Sequence, residues 1–350
     1  MRKILFILLI TIAVSSCKTK GIDPTSQTQF IDSTHITNNF YDDAKVFDLP
    51  LSKIKITGEI ENPGFVDFSK LPTKSIIVKE TLLGENNENF RGAFKYEGYS
   101  LLDILDQTKV KKKNRKEFKP IIDLYIEIEN DKGEKINISW GEIYYPNHLG
   151  EIIIANKVMR IIPVKTGEKW ELPEQSKVIV LSDLITERNI LNPTKITVKS
   201  YSKSFNTIKG LKPLYSEKID IYNDLKLVNS ICQNPNDLQN EKYNTIFYGH
   251  GRGLHSTKPS TGVLLKNVFA KNFNLTKKNI QRGIFAVVAK DGYRGVFSFS
   301  EIMNRNDQSE ILLLCNPEKR HNGIFRLIPA CDFFSDRAIK GISEIYFSCD

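Results

Sequence analysis

The chain has 350 residues, of which 40% are hydrophobic and 26% charged, and its formal net charge is +9. The length gives a prior expectation of two domains, and the hydrophobic share can fill sizeable cores, which excludes a wholly disordered chain. The basic residues are spread out except in "KVKKKNRKEFK", Lys109–Lys119, which we predict to be a solvated loop; contact with an anionic lipid or polymer is the alternative. We expect no nucleic-acid partner.

The first residues predict export. "MRK" is basic, "ILFILLITIAV" is apolar, and "VSSC" ends in Cys17. The apolar run is shorter than the roughly 20 helical residues that span a bilayer. The segment resembles a bacterial lipoprotein signal. This resemblance implies that residues 1–16 are removed and that acyl chains such as palmitate on Cys17 anchor the protein in the cell envelope, on the periplasmic side or at the cell surface. An ordinary cleaved signal peptide is the alternative.

Residues 17–48 are mostly polar and lack a hydrophobic period, so we predict a flexible tether between the lipid and the folded part. Four further cysteines follow: Cys232, Cys315, Cys331 and Cys349. An exported chain can form disulfides, and the three possible pairings of four cysteines stay open. Cysteines and histidines do not cluster at zinc spacing, so we expect no metal site.

Four segments of the first half resemble four segments of the second half in the same order. The matched segments are "YEGYSLLDILDQ" with "PSTGVLLKNVFAK", "DLYIEIENDKGEKINISWGEI" with "GIFAVVAKDGYRGVFSFSEI", "IIIANK" with "LLLCNP", and "VIVLSDLITERNILNPTKITV" with "RLIPACDFFSDRAIKGISEIYF". An internal repeat of this kind indicates duplicated structural units. We therefore predict two homologous domains, residues 49–202 and 203–350, built mostly of strands.

Three kinds of charged residue recur at matched places in the two repeats: Glu142 and Glu301, Asp183 and Asp332, Arg188 and Arg337. A shared glutamate after a strand is more often a helix cap or a structural hydrogen-bonding residue than a catalyst. We predict that each aspartate forms a buried structural pair with the arginine that follows it.

The opening "ITGEIENPGFVDFSKLP", the helix-like "YEGYSLLDIL" and the "DGY" and "IPACD" segments resemble the oxidoreductase molybdopterin-binding domain of the sulfite-oxidase type. The resemblance implies an α+β, β-rich fold with two tandem domains of this type. It also implies a cysteine thiolate that binds molybdenum. The corresponding strand of repeat one, "KSIIVKETLLGENNENF", has no cysteine, and "YNTIFYGHGRGLHS" of repeat two has His250 at that place. We therefore expect no cofactor and a non-catalytic protein.

"YGHGRGLHS" is the strongest candidate site. Its glycines let the backbone approach a ligand, and successive amides with Arg252 can hold an anion. His250 and His255 can bind a metal or carry a proton. A flexible glycine-rich loop is the alternative.

The second candidate is "DGYRG", in which Asp-Gly between apolar segments is a strong hairpin signal. Repeat one has "DKGEK" there, so Tyr293 and Arg294 are peculiar to repeat two. We predict a ligand role for this pair and for Arg326.

Three functions remain open on the sequence. The first is an envelope lipoprotein that binds a small anionic or pterin-like ligand, or a protein partner, through its second domain. The second is an exported molybdenum-cofactor oxidoreductase, in which His250 or Cys232 replaces the ligand cysteine and Arg252, Arg294 and Arg326 hold the pterin phosphate. The third is a structural scaffold of an envelope complex.

Overall fold

A computed structural model describes residue 41 and residues 44–84, 88–233, 235–316 and 324–349. The predicted signal peptide, Cys17 and most of the predicted tether lie outside the described residues. Phe40–Asp350 belongs to one compact unit. Within the described part, no helix is long and apolar enough to cross a membrane.

The first half of the fold consists of ten strands and two short helices. In chain order these are β1 (Val46–Asp48), β2 (Lys55–Gly58), β3 (Gly64–Phe65), β4 (Thr73–Leu83), β5 (Glu88–Ser100), α1 (Leu101–Asp106), β6 (Leu124–Asn130), β7 (Lys135–Ser139), α2 (Trp140–Tyr144), β8 (Ile152–Arg160), β9 (Lys177–Val180) and β10 (Pro193–Ser200). A 3-10 helix covers Phe68–Lys70. The end of the predicted tether is not free, because β1 pairs antiparallel with β8.

The second half has eleven strands and three short helices. They are β11 (Ile219–Asn223), β12 (Lys226–Ile231), β13 (Asn240–Tyr243), β14 (Phe247–Gly249), β15 (Gly253–Ser256), β16 (Ser260–Leu264), α3 (Leu265–Phe269), α4 (Lys277–Arg282), β17 (Ile284–Ala289), β18 (Arg294–Ser298), α5 (Phe299–Met303), β19 (Ile311–Cys315), β20 (Phe325–Pro329) and β21 (Ile342–Ser348). A second 3-10 helix covers Ser335–Arg337.

The two halves use the same strand connections. In the first half one sheet has the order β3-β2-β10-β6-β7, with β2 parallel to β10, and the other contains β4-β5-β8-β9. In the second half one sheet has the order β12-β11-β21-β17-β18, with β11 parallel to β21, and the other has the order β13-β16-β19-β20. The hairpin β14-β15 forms a separate two-stranded sheet.

The predicted α+β class with two tandem molybdopterin-binding-like domains is wrong. Among the described residues, 44% lie in strands and 11% in helices, and the four small sheets lie in a β-propeller-like ring. No described α-helix exceeds six residues. Only the β-rich part of the expectation agrees with the structure. The resemblance depended on short motifs, and such motifs do not determine which strands pair.

Serine residues at the ends of strands start three of the helices. Ser100, Ser139 and Ser298 each have an extended backbone, and each hydroxyl accepts a hydrogen bond from the amide three residues later. A cap of this kind satisfies one of the free amides at a helix start. Each helix begins directly after its strand, so the capping serine lies at the end of the sheet. For Ser139 and Ser298, this place is the contact between the two halves.

Two buried ion clusters at this place explain why the halves form one unit. In the first, Arg188 pairs with Asp183 and Glu142, and Glu142 also accepts a 2.8 Å hydrogen bond from the Ser298 hydroxyl of the other half. A buried pair is costly to break, because a partner left alone stays charged and desolvated.

The second cluster repeats the first with the halves exchanged. Arg337 pairs with Asp332 and Glu301, and Glu301 accepts a 2.7 Å hydrogen bond from the Ser139 hydroxyl of the first half. The predicted Asp–Arg pairs are therefore confirmed. Each glutamate accepts a hydrogen bond from a serine hydroxyl of the opposite half. Each cluster therefore needs a residue from both halves.

The predicted solvated loop at Lys109–Lys119 is wrong for one of its lysines. Lys112 is buried, and its Nζ lies 2.5 Å from Oδ1 of Asp123 and donates to the carbonyl of Phe118. Burial lowers the pKa of Lys112, while Asp123 acts in the opposite direction. A run of charge in the sequence does not reveal a buried acid that lies elsewhere in the chain.

Candidate functional site: a cationic cavity in the second half

Five of the six predicted ligand residues line one cavity of about 310 Å³, which we call the cationic cavity. They are His250, Arg252, His255, Tyr293 and Arg326. Other lining residues are Phe247, Asp291, Ser335, Asp336 and Lys340. The size is typical of a site for a small molecule.

The hairpin β14-β15 supplies the histidines and Arg252. Its tip is "GHGRG", and Gly253 has a φ of +71°, a backbone conformation that favours glycine. Gly249 is packed closely, since a Cβ there would lie 2.7 Å from Nε2 of His255. The segment is thus a paired hairpin and not the flexible loop of the alternative interpretation, and its glycines allow His255 to fold back over the backbone.

Arg326 lies on β20 at the wall of the cavity. Its guanidinium group lies over the ring of Phe247, 4.2 Å from the ring centre. Its Nε and Nη2 atoms are buried and have no hydrogen-bond partner among the described residues. Burial lowers the pKa of Arg326, and no carboxylate opposes that effect. The described residues therefore leave a partly desolvated positive charge without a carboxylate partner, which is an unfavourable arrangement.

Lys177 occupies the matching position in the first half. It forms an isolated bridge with Leu191, as Arg326 does with Lys340, and the two pairs have the same sequence separation. The Nζ of Lys177 lies 2.6 Å from Oε2 of Glu80. Glu80 also accepts hydrogen bonds from the Tyr96 hydroxyl and the Asn189 side chain. The first half thus satisfies this cation with a buried carboxylate.

Strand register shows what replaces that carboxylate in the second half. Ile76 pairs β4 with β5 at the position where Tyr243 pairs β13 with β16. Glu80 lies as many residues after Ile76 as Phe247 lies after Tyr243. The aromatic ring over which Arg326 lies therefore stands where the first half has its carboxylate.

Tyr293 faces the cavity but is also held by the fold. Its hydroxyl donates a 2.8 Å hydrogen bond to the carbonyl of Asp336, and its ring packs edge-on against Phe118. Burial, followed by the negative charge of Asp336, raises the pKa of Tyr293, so the hydroxyl stays protonated near neutral pH. The Oδ2 atom of Asp336 is buried without a hydrogen-bond partner among the described residues. It can accept a hydrogen bond from a donor on a ligand.

Arg294 does not line the cavity. Its fully buried guanidinium group pairs with Asp123 at 3.2 Å and with Glu117 at 3.0 Å, and it lies over the rings of Phe118 and Phe205. Tyr293 and Arg294 are neighbours near a strand start, where successive side chains point to opposite faces. The structure therefore assigns Arg294 a structural role and not the predicted ligand role.

The arginine set of the cofactor alternative is not assembled. Arg252 and Arg326 share the cavity, but Arg294 lies in its own ion cluster with Asp123. No cysteine is among the residues that line the cavity, so this site offers no sulfur ligand for molybdenum. The residues present at this cavity therefore do not fit a molybdenum cofactor.

No disulfide joins the four described cysteines to one another. Burial raises the pKa of Cys331 to about 12, because the apolar surroundings and Asp332 disfavour a thiolate. In the residues covered by the structure, no three His, Cys, Asp or Glu side chains gather as a metal site would require.

Sequence reasoning missed several residues of the cavity. Phe247, Ser335, Asp336 and Lys340 carry no motif of their own. A signal for Arg326 was present in the repeat, because the spacing that matches Asp183 with Asp332 also matches Lys177, just before the quoted segment, with Arg326. What the alignment could not show is that Glu80, the partner of Lys177, has no counterpart in the second half.

No protein-family model matches this chain, and no curated protein matches it significantly.

Proposed function

We propose that this protein is a non-catalytic binding protein whose cationic cavity holds a small anion. The observation that carries the proposal is Arg326, a partly buried guanidinium at the wall of a cavity, which has no carboxylate partner among the described residues. His250, Arg252 and His255 face the same space. An oxyanion there supplies the negative charge that Glu80 supplies to Lys177.

The physical basis is charge-assisted hydrogen bonding. A guanidinium presents several donors in a fixed plane that matches a carboxylate or phosphate group, and such bonds are stronger than neutral ones. The nearby Asp291 and Asp336 oppose a second negative charge at the cavity wall. They favour ligands that combine a singly charged anionic group with a hydrogen-bond donor, such as dihydrogen phosphate or a hydroxy acid.

We further propose that the chain is anchored in the cell envelope through lipid on Cys17. The support is the sequence alone: a basic start, a short apolar run and a cysteine after small residues. Mass spectrometry of the full chain expressed in a bacterial host tests this. The proposal requires an acylated N-terminal Cys17, and a mature chain that begins elsewhere without acyl groups contradicts it.

Titration calorimetry with phosphate, sulfate and acetate tests the anion proposal. Wild type is expected to bind at least one of these oxyanions with one site, and Arg326→Met is expected to lose at least tenfold in affinity, which corresponds to about 1.4 kcal/mol. The matched control is Arg115→Met, because Arg115 is an exposed arginine outside the cavity.

The controls separate specific from general charge effects. Equal weakening by Arg326→Met and Arg115→Met means that net charge alone attracts the anion, which contradicts a built site. Absence of binding to wild type contradicts the proposal directly. A stoichiometric content of molybdenum in protein purified from its native host contradicts the non-catalytic assignment.

A further inference from the structure

A second cavity adjoins the cationic cavity, and its wall is aromatic. It has a volume of about 370 Å³, and the two cavities share Phe247, Ser335 and Ala338. Tyr248 and Phe333 line it. In the first half the counterpart of the hairpin β14-β15 is the outer end of the β4-β5 hairpin, where Thr81 takes the place of Tyr248. The aromatic ring of Tyr248 at this position therefore distinguishes the second half.

The aromatic side chains form one connected group, which we call the aromatic ledge: Tyr248, Phe333 and Phe334. The rings of Phe333 and Phe334 meet edge-on at 4.8 Å, and Tyr248 lies 5.8 Å from Phe333. His250, which lines the cationic cavity, packs edge-on against Phe334 at 5.0 Å. The ledge thus continues directly into the charged site.

The ledge is fixed in place yet open to solvent. Phe333 is 52% exposed and Tyr248 39% exposed. The backbone amide of Phe333 donates a 2.7 Å hydrogen bond to the carbonyl of Tyr145, and the neighbouring Asp332 is held by Arg337. Neighbouring aromatic side chains that stay exposed in this way form an apolar patch of the kind found at interaction sites.

We propose that the ligand is a small organic anion that carries an aromatic ring, with its anionic group in the cationic cavity and its ring on the aromatic ledge. This inference depends on the proposed anion-binding function and adds the chemical class of the ligand. The neighbouring cavity favours a ring over a flexible acyl chain, because Asn147, Asn244 and Thr245 line its other side. These polar groups suit ring heteroatoms or substituents and gain nothing from a hydrocarbon chain.

The test compares three probes that share one anionic group: inorganic phosphate, methyl phosphate and phenyl phosphate. Stacking on one or two aromatic side chains is expected to make phenyl phosphate bind about tenfold more tightly than methyl phosphate. Phe333→Ala and Tyr248→Ala are expected to remove this preference while methyl phosphate binds as before. Phe65→Ala is the matched control, because Phe65 is 65% exposed but lies on β3, away from both cavities.

Each outcome distinguishes the inference from the function on which it depends. Equal affinity for methyl and phenyl phosphate overturns the aromatic inference and leaves anion binding intact. A preference for phenyl phosphate that persists in both ledge variants also overturns it, because the ring then binds elsewhere. Wild type that binds none of the three probes overturns the proposed function together with the inference. An unchanged melting temperature of the ledge variants shows that each still folds.

Discussion

Lys177 and Arg326 hold the same place in the two halves of the fold, yet their surroundings differ. The Nζ of Lys177 lies 2.6 Å from the buried carboxylate of Glu80. Arg326 lies over the ring of Phe247, and two of its buried nitrogen atoms have no hydrogen-bond partner within the described part of the chain. In the first half the cation therefore stabilises the fold. We propose that in the second half the cation at this position pairs with an external anion.

The largest difference is expected when each cation is removed. Lys177→Met leaves Glu80 buried and unpaired, which should lower the free energy of unfolding by about 3 kcal/mol. Arg326→Met removes a desolvated charge and leaves no carboxylate unpaired, so it should change stability by less than about 1 kcal/mol. Urea unfolding of both variants in buffer free of oxyanions measures the contrast.

Lys157→Met provides the control for this comparison. Lys157 pairs with Glu97 at 2.8 Å, but 38% of the lysine side chain is exposed, so its loss should cost under about 1 kcal/mol. If Lys177→Met is no more damaging than Lys157→Met, the internal pair does not stabilise the first half and the comparison fails.

Arg294 also lies in the second half, but unlike Arg326 it pairs with carboxylates of the fold. Arg294→Met leaves Glu117 unpaired and removes one of the cations beside Asp123, which keeps Lys112. We expect a loss of about 2 kcal/mol in the free energy of unfolding and no change in anion affinity. Denaturant unfolding and titration calorimetry check the two parts. A loss of anion binding without a loss of stability would reverse the roles of Arg294 and Arg326.

The buried ion clusters have the same kinds of residue in both halves, and the dependence of stability on pH tests the role of the aspartate in one of them. Burial raises the pKa of Asp183 from an ordinary value of 3.8 to about 6, although Arg188 acts in the opposite direction. The folded state therefore binds more protons than the unfolded state between about pH 4 and pH 6. The contribution of Asp183 to stability is present below pH 4 and declines as pH rises through 6.

Asp183→Asn should flatten this decline by up to about 1.4 kcal/mol per pH unit. Urea unfolding of wild type and variant at pH 4, 5, 6 and 7 measures it. Glu61→Gln, a change at an exposed glutamate, should leave the profile unaltered. Parallel profiles for wild type and Asp183→Asn would mean that Asp183 is ionised throughout this range.

The smallest effect on stability is expected when a carboxylate is introduced in the second half, at the position that Glu80 holds in the first half. Phe247→Glu places an acid against Arg326 and should pair with it, so that stability changes by about 1 kcal/mol or less while phosphate binding is lost. Phe247→Leu, which removes the ring without adding charge, is the matched variant and should retain phosphate binding. Phosphate binding that survives in a folded Phe247→Glu variant would show that the anion does not depend on Arg326.

The sequence was informative where a pattern is local or repeated. The Asp-Gly signal predicted the turn between β17 and β18, and Gly292 has the positive φ that such a turn requires. The repeat also placed Asp183 and Asp332 at matched positions, where both form buried pairs with arginine.

The remainder depends on contacts between distant segments. Their adjacency in the sequence suggested that Tyr293 and Arg294 act together. In the fold, however, the two side chains lie in different environments. The predicted α+β class was wrong, because short motifs do not show how little of the chain forms helices once the strands pair over long distances. Likewise, the missing partner of Arg326 becomes visible only once β14 is placed beside β20.

Unfolding of wild type and Arg326→Met with increasing phosphate tests the central claim most directly, because it measures the fold and the site together. The account predicts that phosphate raises the free energy of unfolding of wild type, by about 2.7 kcal/mol at a concentration one hundred times the dissociation constant. It predicts no such rise for Arg326→Met, which should fold normally without phosphate. An equal rise in both proteins, or none in wild type, would contradict the claim that Arg326 completes its pairing with an external anion.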